Sequence, residues 1–198
     1  MAEANRLRDL VSLGREDRYL EFKESRPWDD LKPKLCRTAM AMANIRDGGT
    51  IVIGVGQRSG SFVAQGVTAA DLATYDEDDV LAFVNRYAEP YVRLELHKFE
   101  HEGATLVGVV VREFDEVPVV CRRSYENVLR QGAVYTRSYR MAETCEVQTQ
   151  TEMREIIEMA TDKGIRGFLA RSRRAGLRLD EVAGRTDAQQ FDEQLGGL

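Results

Sequence analysis

The chain has 198 residues, 43% of them hydrophobic and 31% charged, with a formal net charge of −5. That length supports one domain with an ordinary core plus a tail, and needs no metal or disulfide staple. The mild acidity excludes a globally basic nucleic-acid binder. Any polyanion contact must come from local basic patches, because charge beyond about 10 Å is largely screened in physiological salt.

Leu7, Leu10 and Val11 recur at helical spacing, and Gly14 is placed to close that helix. A short strand over Tyr19 to Lys23 follows. Alternation puts Leu20 and Phe22 on a core face and Tyr19, Glu21 and Lys23 on a charged, accessible face. Asp29 or Asp30 is expected to cap the next helix, which runs to about Ile45. Leu31, Leu35, Ala39 and Met42 form its apolar stripe, with Lys32, Lys34 and Arg37 exposed in its early turns. Asp47-Gly48-Gly49 supplies the positive φ that a tight reversal needs. Thr50 to Val55 is apolar at nearly every position and reads as a central strand covered on both faces. Gly54 and Gly56 leave room there for close backbone approach.

Residues 57–66 read as a polar loop with one short strand near Phe62. Asp76 to Asp79 loads the first turn of a helix with acid, as the helix dipole favours, and Val80, Leu81, Phe83, Val84 and Tyr87 form its buried side. Val92 to Phe99 and Thr105 to Arg112 read as antiparallel strands turning at Glu102-Gly103. Val117 to Cys121 reads as a continuation of that sheet, and Val134 to Arg137 as a further short strand. Met153, Ile156, Ile157 and Ala160 mark a helix from about Thr149, interrupted at Gly164 and Gly167. The polar stretch from about Arg173 reads as a mobile tail or a partner-dependent helix. These elements make an α+β (mixed α/β) domain with a mixed, partly antiparallel sheet and flanking helices over residues 1–160, then a basic C-terminal helix or tail over 161–198.

Cys36, Cys121 and Cys145 are far apart, which excludes a disulfide framework and a structural zinc site. No apolar run follows the N-terminus and none is long enough to span a membrane, so a cytoplasmic protein is expected. Gly54, Gly56 and Gly60 follow a strand without opening a helix, and no phosphate loop of the G-x-x-x-x-G-K-[ST] type occurs; no nucleotide cofactor is expected. His97 and His101 share a strand face without a third ligand and read as sheet surface. Trp28 reads as a packing anchor and Cys36 as semi-buried filler.

Arg122, Arg123, Arg130, Arg137 and Arg140 cluster around Tyr125, Tyr135 and Tyr139, with only Glu126 and Glu143 acidic between 122 and 143. Arginine interleaved with tyrosine suits phosphate contact combined with base stacking. Lys163, Arg166, Arg171, Arg173, Arg174 and Arg178 form a second basic run, which suits either a nucleic-acid backbone or the negative end of a helix dipole.

Three stretches carry a family resemblance: Glu16-x-x-x-x-Glu21-Phe22-Lys23-Glu24-Ser25, then Ala43-Asn44-x-x-x-Gly48-Gly49-x-Ile51-x-Ile53-Gly54-Val55, then Gly132-Ala133-Val134-Tyr135-Thr136-Arg137-Ser138. Over about residues 7–145 the chain resembles the AlbA-like domain of the Schlafen family, at times labelled a divergent ATPase. The resemblance implies a compact α/β module that binds nucleic acid. For Schlafens that cut RNA, it also implies a divalent metal held by three acids, two of them five residues apart, as Glu16 and Glu21 are. The third acid, an aspartate after the central strand, has no counterpart in Gly56 to Ser61, where Arg58 brings positive charge instead.

The first expectation is therefore a module that binds DNA or RNA mainly through the phosphate backbone. Lys23, Lys34, Arg58, Arg122, Arg123, Arg130, Arg137 and Arg140 would supply contacts and Tyr135 would stack. The alternative is a divalent-metal-dependent endoribonuclease acting on structured RNA such as tRNA, with Glu16 and Glu21 as catalytic residues and ligands for Mg²⁺ or Mn²⁺. A third reading is a protein-interaction module whose basic segments dock an acidic partner. By analogy with animal Schlafens, which join two similar lobes in one chain, a homodimer is expected.

Overall fold

The computed structural model describes residues 2–176. The chain runs α1 (Ala2–Ser12), β1 (Leu20–Lys23), α2 (Trp28–Ala43), β2 (Gly49–Ile53), β3 (Val55–Arg58), β4 (Ser61–Ala64), α3 (Ala69–Leu72), α4 (Glu77–Tyr87), β5 (Ala88–Glu89), β6 (Leu94–His101), β7 (Ala104–Val111), β8 (Val120–Cys121), β9 (Tyr135–Arg137), β10 (Thr144–Glu146) and α5 (Gln150–Arg174).

The main sheet has the order β1-β2-β7-β6. β1 and β2 are parallel because α2 carries the chain back between them, as a parallel pair requires. β7 is antiparallel to both its neighbours. It is joined to β6 through Glu102 and Gly103 at φ 50° and 81°, the left-handed pair that a two-residue hairpin turn needs.

Alternation along β2 splits its side chains between two cores. Ile51 and Ile53 pack with Leu31, Leu35 and Ala39 of α2 and with Val107 and Val109 of β7. Val52 packs on the other face with Leu7 and Val11 of α1 and with Leu20 and Phe22 of β1. The unbroken apolar run of β2 thus reflects a sheet covered by α1 on one side and α2 on the other. The reversal into β2 places Asp47 and Gly48 at φ 65° and 73°. A Cβ on Gly48 would collide with the Val111 carbonyl oxygen, so both the conformation and the space demand glycine.

Several expectations change. Residues 55–64 form a full hairpin, β3–β4, turning at Ser59-Gly60. Pro27, not Asp29 or Asp30, occupies the N-cap of α2, and the two aspartates sit in its first turn. Val117 to Cys121 does not extend the main sheet. Only Val120 and Cys121 pair, with β5, in a separate ribbon. Asn44, the C-cap of α2, holds Val119 by both backbone groups and turns that segment away. β9 pairs with a strand not foreseen, β10.

α5 passes through Gly164 and Gly167 without a break. Thr149 and Glu152 start it with a reciprocal capping box. Trp28 is a buried packing anchor, and Cys36 is fully buried, not semi-buried. The expected tail beyond residue 176 lies outside the described residues. Among the described residues no helix is long and apolar enough to cross a membrane.

Candidate functional site

Glu21 lies on the α2 side of β1, opposite Leu20 and Phe22. At Glu21 that face is not open to solvent. α2 covers it, with Thr38 Oγ1 3.4 Å from both Glu21 carboxylate oxygens. The carboxylate pairs with Arg137 of β9 and with Lys23.

Arg137 is 0% exposed. Its guanidinium also donates to the carbonyls of Asp17 at 3.0 Å and Arg18 at 3.2 Å, and to Thr144 Oγ1 at 3.2 Å. Arg18 returns the contact: its Nε donates to the Arg137 carbonyl at 3.0 Å. Its guanidinium pairs with Glu155 of α5 and lies 3.7 Å over the Tyr139 ring. Tyr135 and Arg137 do share a strand face, as alternation predicts. That face is turned inward against α2 and the segment leading into β1. Neither residue is available to stack on a base or touch a phosphate, because each is buried. The Tyr135 hydroxyl accepts the Arg130 backbone N–H at 2.7 Å, and its ring lies 5.3 Å from the Arg37 guanidinium.

Three adjoining cavities follow the polar side of α2. The first, about 530 Å³, is lined by Lys23, Glu24, Arg26, Asp30 and Lys34. The second, about 350 Å³, shares Lys23 and Lys34 and adds Glu16, Glu21, Arg37, Thr38 and Glu143. The third, about 360 Å³, shares Arg37 and adds Glu126, Arg130, Tyr135 and Glu146. Their common walls make one trough. Lys34, Arg37 and Thr38 reach it together because positions three and four apart share a helix face.

The trough is of mixed sign, but its charges are unequally engaged. Glu21 is matched by Arg137 and Lys23, and Glu146 by Arg130. The Arg130 hydrogen bond holds the Glu146 carboxyl below its ordinary value. Arg26, Lys34 and Arg37 form no ion pair among the described residues. Arg37 Nε is buried and has no hydrogen-bond partner among the described residues. An orphaned donor of that kind carries a desolvation cost that a bound acceptor nearby would offset.

Of the residues singled out in the sequence, Glu16, Glu21, Lys23 and Lys34 meet in the second cavity and Arg130 in the third. Arg58 sits exposed at the tip of the β3–β4 hairpin. Arg122, Arg123 and Arg140 are exposed on loops and line none of the three cavities. Arg26 and Arg37 were not among the expected contacts; the spacing of Arg37 from Lys34 was the available signal.

The acids do not fit a divalent cation. Glu16 spends one oxygen on the Phe22 N–H at 2.7 Å, and both oxygens of Glu21 already face cations. Among the described residues no three His, Cys, Asp or Glu side chains gather closely enough to hold a metal ion. Mg²⁺ would need an octahedral oxygen shell in a place where Lys23 and Arg137 already supply the positive charge.

An α+β domain, with two helices sandwiching a mixed sheet and a trough along one of them, is the class this architecture defines. The chain belongs to the family described as Schlafen, AlbA_2, whose profile matches residues 16–146, from the carboxylate ahead of β1 to the end of β10. Two solved structures are similar to this chain. The crystal structure of the DIP2311 protein from Corynebacterium diphtheriae is 15% identical with a TM-score of 0.46, covering 72% of this chain and 27% of its own. The N-terminal domain of an ATP-dependent DNA helicase RecG-related protein from Nitrosomonas europaea is 20% identical with a TM-score of 0.48, covering 74% of this chain and 95% of its own. This chain therefore spans 27% of the first protein's length. No curated protein matches it.

Proposed function

We propose that this domain binds nucleic acid by seating a sugar-phosphate strand along the α2 trough. Lys34 and Arg37 are the central phosphate contacts, Arg26 lies toward one end, and Arg130 toward the other. The observation that carries this reading is that Arg26, Lys34 and Arg37, which form no ion pair among the described residues, line one continuous concavity, above all Arg37 with its orphaned Nε. Membership of the Schlafen AlbA_2 family supports it. Arg122, Arg123 and Arg140 add exposed charge outside the trough and serve as peripheral contacts. The engaged carboxylates of Glu16 and Glu21 favour binding over hydrolysis.

Counting only the three trough cations outside the intramolecular ion pairs, Arg26, Lys34 and Arg37, log K should fall against log salt with a slope of at least about −2 for a single strand. The test is a titration of the full chain with single-stranded DNA and RNA oligonucleotides across a salt series. Lys34→Ala and Arg37→Ala should each flatten the slope by about 0.7, while Arg58→Ala leaves it unchanged. A slope indifferent to both trough substitutions overturns the reading.

A further inference from the structure

α5 is longer than its packing requires. Ile156 and Met159 bury one side of its N-terminal half, whereas Ile157, Ile165 and Phe168 are 56%, 54% and 54% exposed. Positions 157, 161, 164 and 168 fall on one stripe at the 4-3-4 spacing of a helix–helix seam. Thr161 and Gly164 occupy its middle. A Cβ on Gly164 would meet nothing within 4 Å, so the backbone is open to close approach there. Beyond Phe168 the stripe ends, since Ser172 is buried.

This spacing reads the same in both directions. Turned end over end, a second α5 sets Ile157 against Phe168, Thr161 against Gly164, and each of these again on the other side of the two-fold. Such self-matching is what an isologous contact needs.

Charge selects the same orientation. Residues 150–162 carry Glu152, Glu155, Glu158 and Asp162 against Arg154 alone, while 163–174 carries Lys163, Arg166, Arg171, Arg173 and Arg174 without an acid. Some of these are tied within the chain: Glu152 in the capping box, Glu155 to Arg18, Asp162 to Arg46, Lys163 to Glu113 and Arg171 to Glu116. Glu158 on the acidic half and Arg166, Arg173 and Arg174 on the basic half are not in these ties. A parallel mate would set like halves and like dipole ends together. An antiparallel mate sets each against its opposite.

We infer that the occupant of this stripe is a second copy of the chain, joined by antiparallel pairing of the two α5 helices about a two-fold axis between Thr161 and Gly164. One helix pair is a small interface, so the dimer is concentration-dependent.

Sedimentation velocity of the full chain over a concentration series tests this, with circular dichroism to verify that each variant is folded. Wild type should pass from monomer to dimer. Ile157→Glu and Phe168→Lys should each give a folded monomer. The double variant I157E/F168K should recover the dimer, because the register places the new carboxylate against the new ammonium at both ends. A wild-type chain that remains monomeric to its solubility limit overturns the inference. So does a dimer that ignores both single substitutions, or a double variant no better than either. A monomer whose melting temperature falls on these substitutions would instead assign the stripe to residues 177–198.

Discussion

Glu21 and Arg137 stand 116 residues apart in sequence and form a buried ion pair beneath α2. Their strands, β1 and β9, belong to different sheets. The pair, with Arg18 and the Asp17 carbonyl, is therefore what ties the outer β9–β10 ribbon to the edge of the main sheet.

Removing one partner strands the other in a place shielded from water. Arg137→Met is expected to cost about 3–5 kcal/mol, read as a lower urea midpoint. Lys23→Ala, at the half-buried partner, should cost about 1 kcal/mol or less. The double variant E21L/R137M should recover much of the loss. A stable Arg137→Met protein would show that the pair holds nothing together.

Chelation should not touch oligonucleotide binding. EDTA is expected to leave affinity unchanged, and added Mg²⁺ should weaken it as any competing counterion does. Tighter binding on adding Mg²⁺ or Mn²⁺ would contradict the fit of the acids described above.

Asn44 is fully buried, and its amide donates to the carbonyls of Val119 at 2.8 Å and Tyr135 at 2.9 Å while its oxygen accepts from the Val119 N–H at 2.8 Å. Asn44→Ala should lower stability by about 3 kcal/mol, because three backbone groups lose their partner at once. Asn44→Asp, the same shape without the donor, should be comparably harmful. Thermal unfolding of both variants checks this.

Acid should loosen α5 through Glu113. Burial pushes that carboxyl up, but hydrogen bonds from Lys163 at 2.6 Å and the Asp47 N–H at 2.8 Å outweigh it and hold the group below its ordinary 4.5. The folded protein thus binds this proton more weakly than the unfolded chain. The stabilisation is complete above about pH 4.5 and is lost as pH falls through the lowered folded value. Lys163→Met should cost up to about 1 kcal/mol at neutral pH, with the two stability curves converging below pH 4.5.

The layered core was legible because its signals are local. Ile51-Val52-Ile53, the reversal at Asp47-Gly48 and the turn at Glu102-Gly103 each announce their geometry within a few residues. The β9–β10 ribbon was not. Its strands have three residues each, too short for alternation to say which face is covered. Arg137 stands among arginines that remain exposed, and only a carboxylate far away in sequence draws it inside. Gly164 and Gly167 look like breaks, yet a cost of about 1 kcal/mol each is outweighed by the cap at Thr149 and the packing of Ile156 and Met159. In the trough, Glu16, Glu21, Lys23 and Lys34 line one cavity although they come from β1, the segment before it and α2. Arg37 was missed because a cation in the early turns of a helix reads as solvated surface.

The arginine in the interior has a consequence for the lysine beside it. Glu21 is already neutralised by a group that never meets water, so Lys23 is a surplus cation. If a strand seats in the trough as proposed, the Lys23 ammonium would be able to leave the carboxylate for a phosphate oxygen without abandoning a lone anion inside the protein. Under that proposal, the grip on a guest would be separated from the integrity of the host.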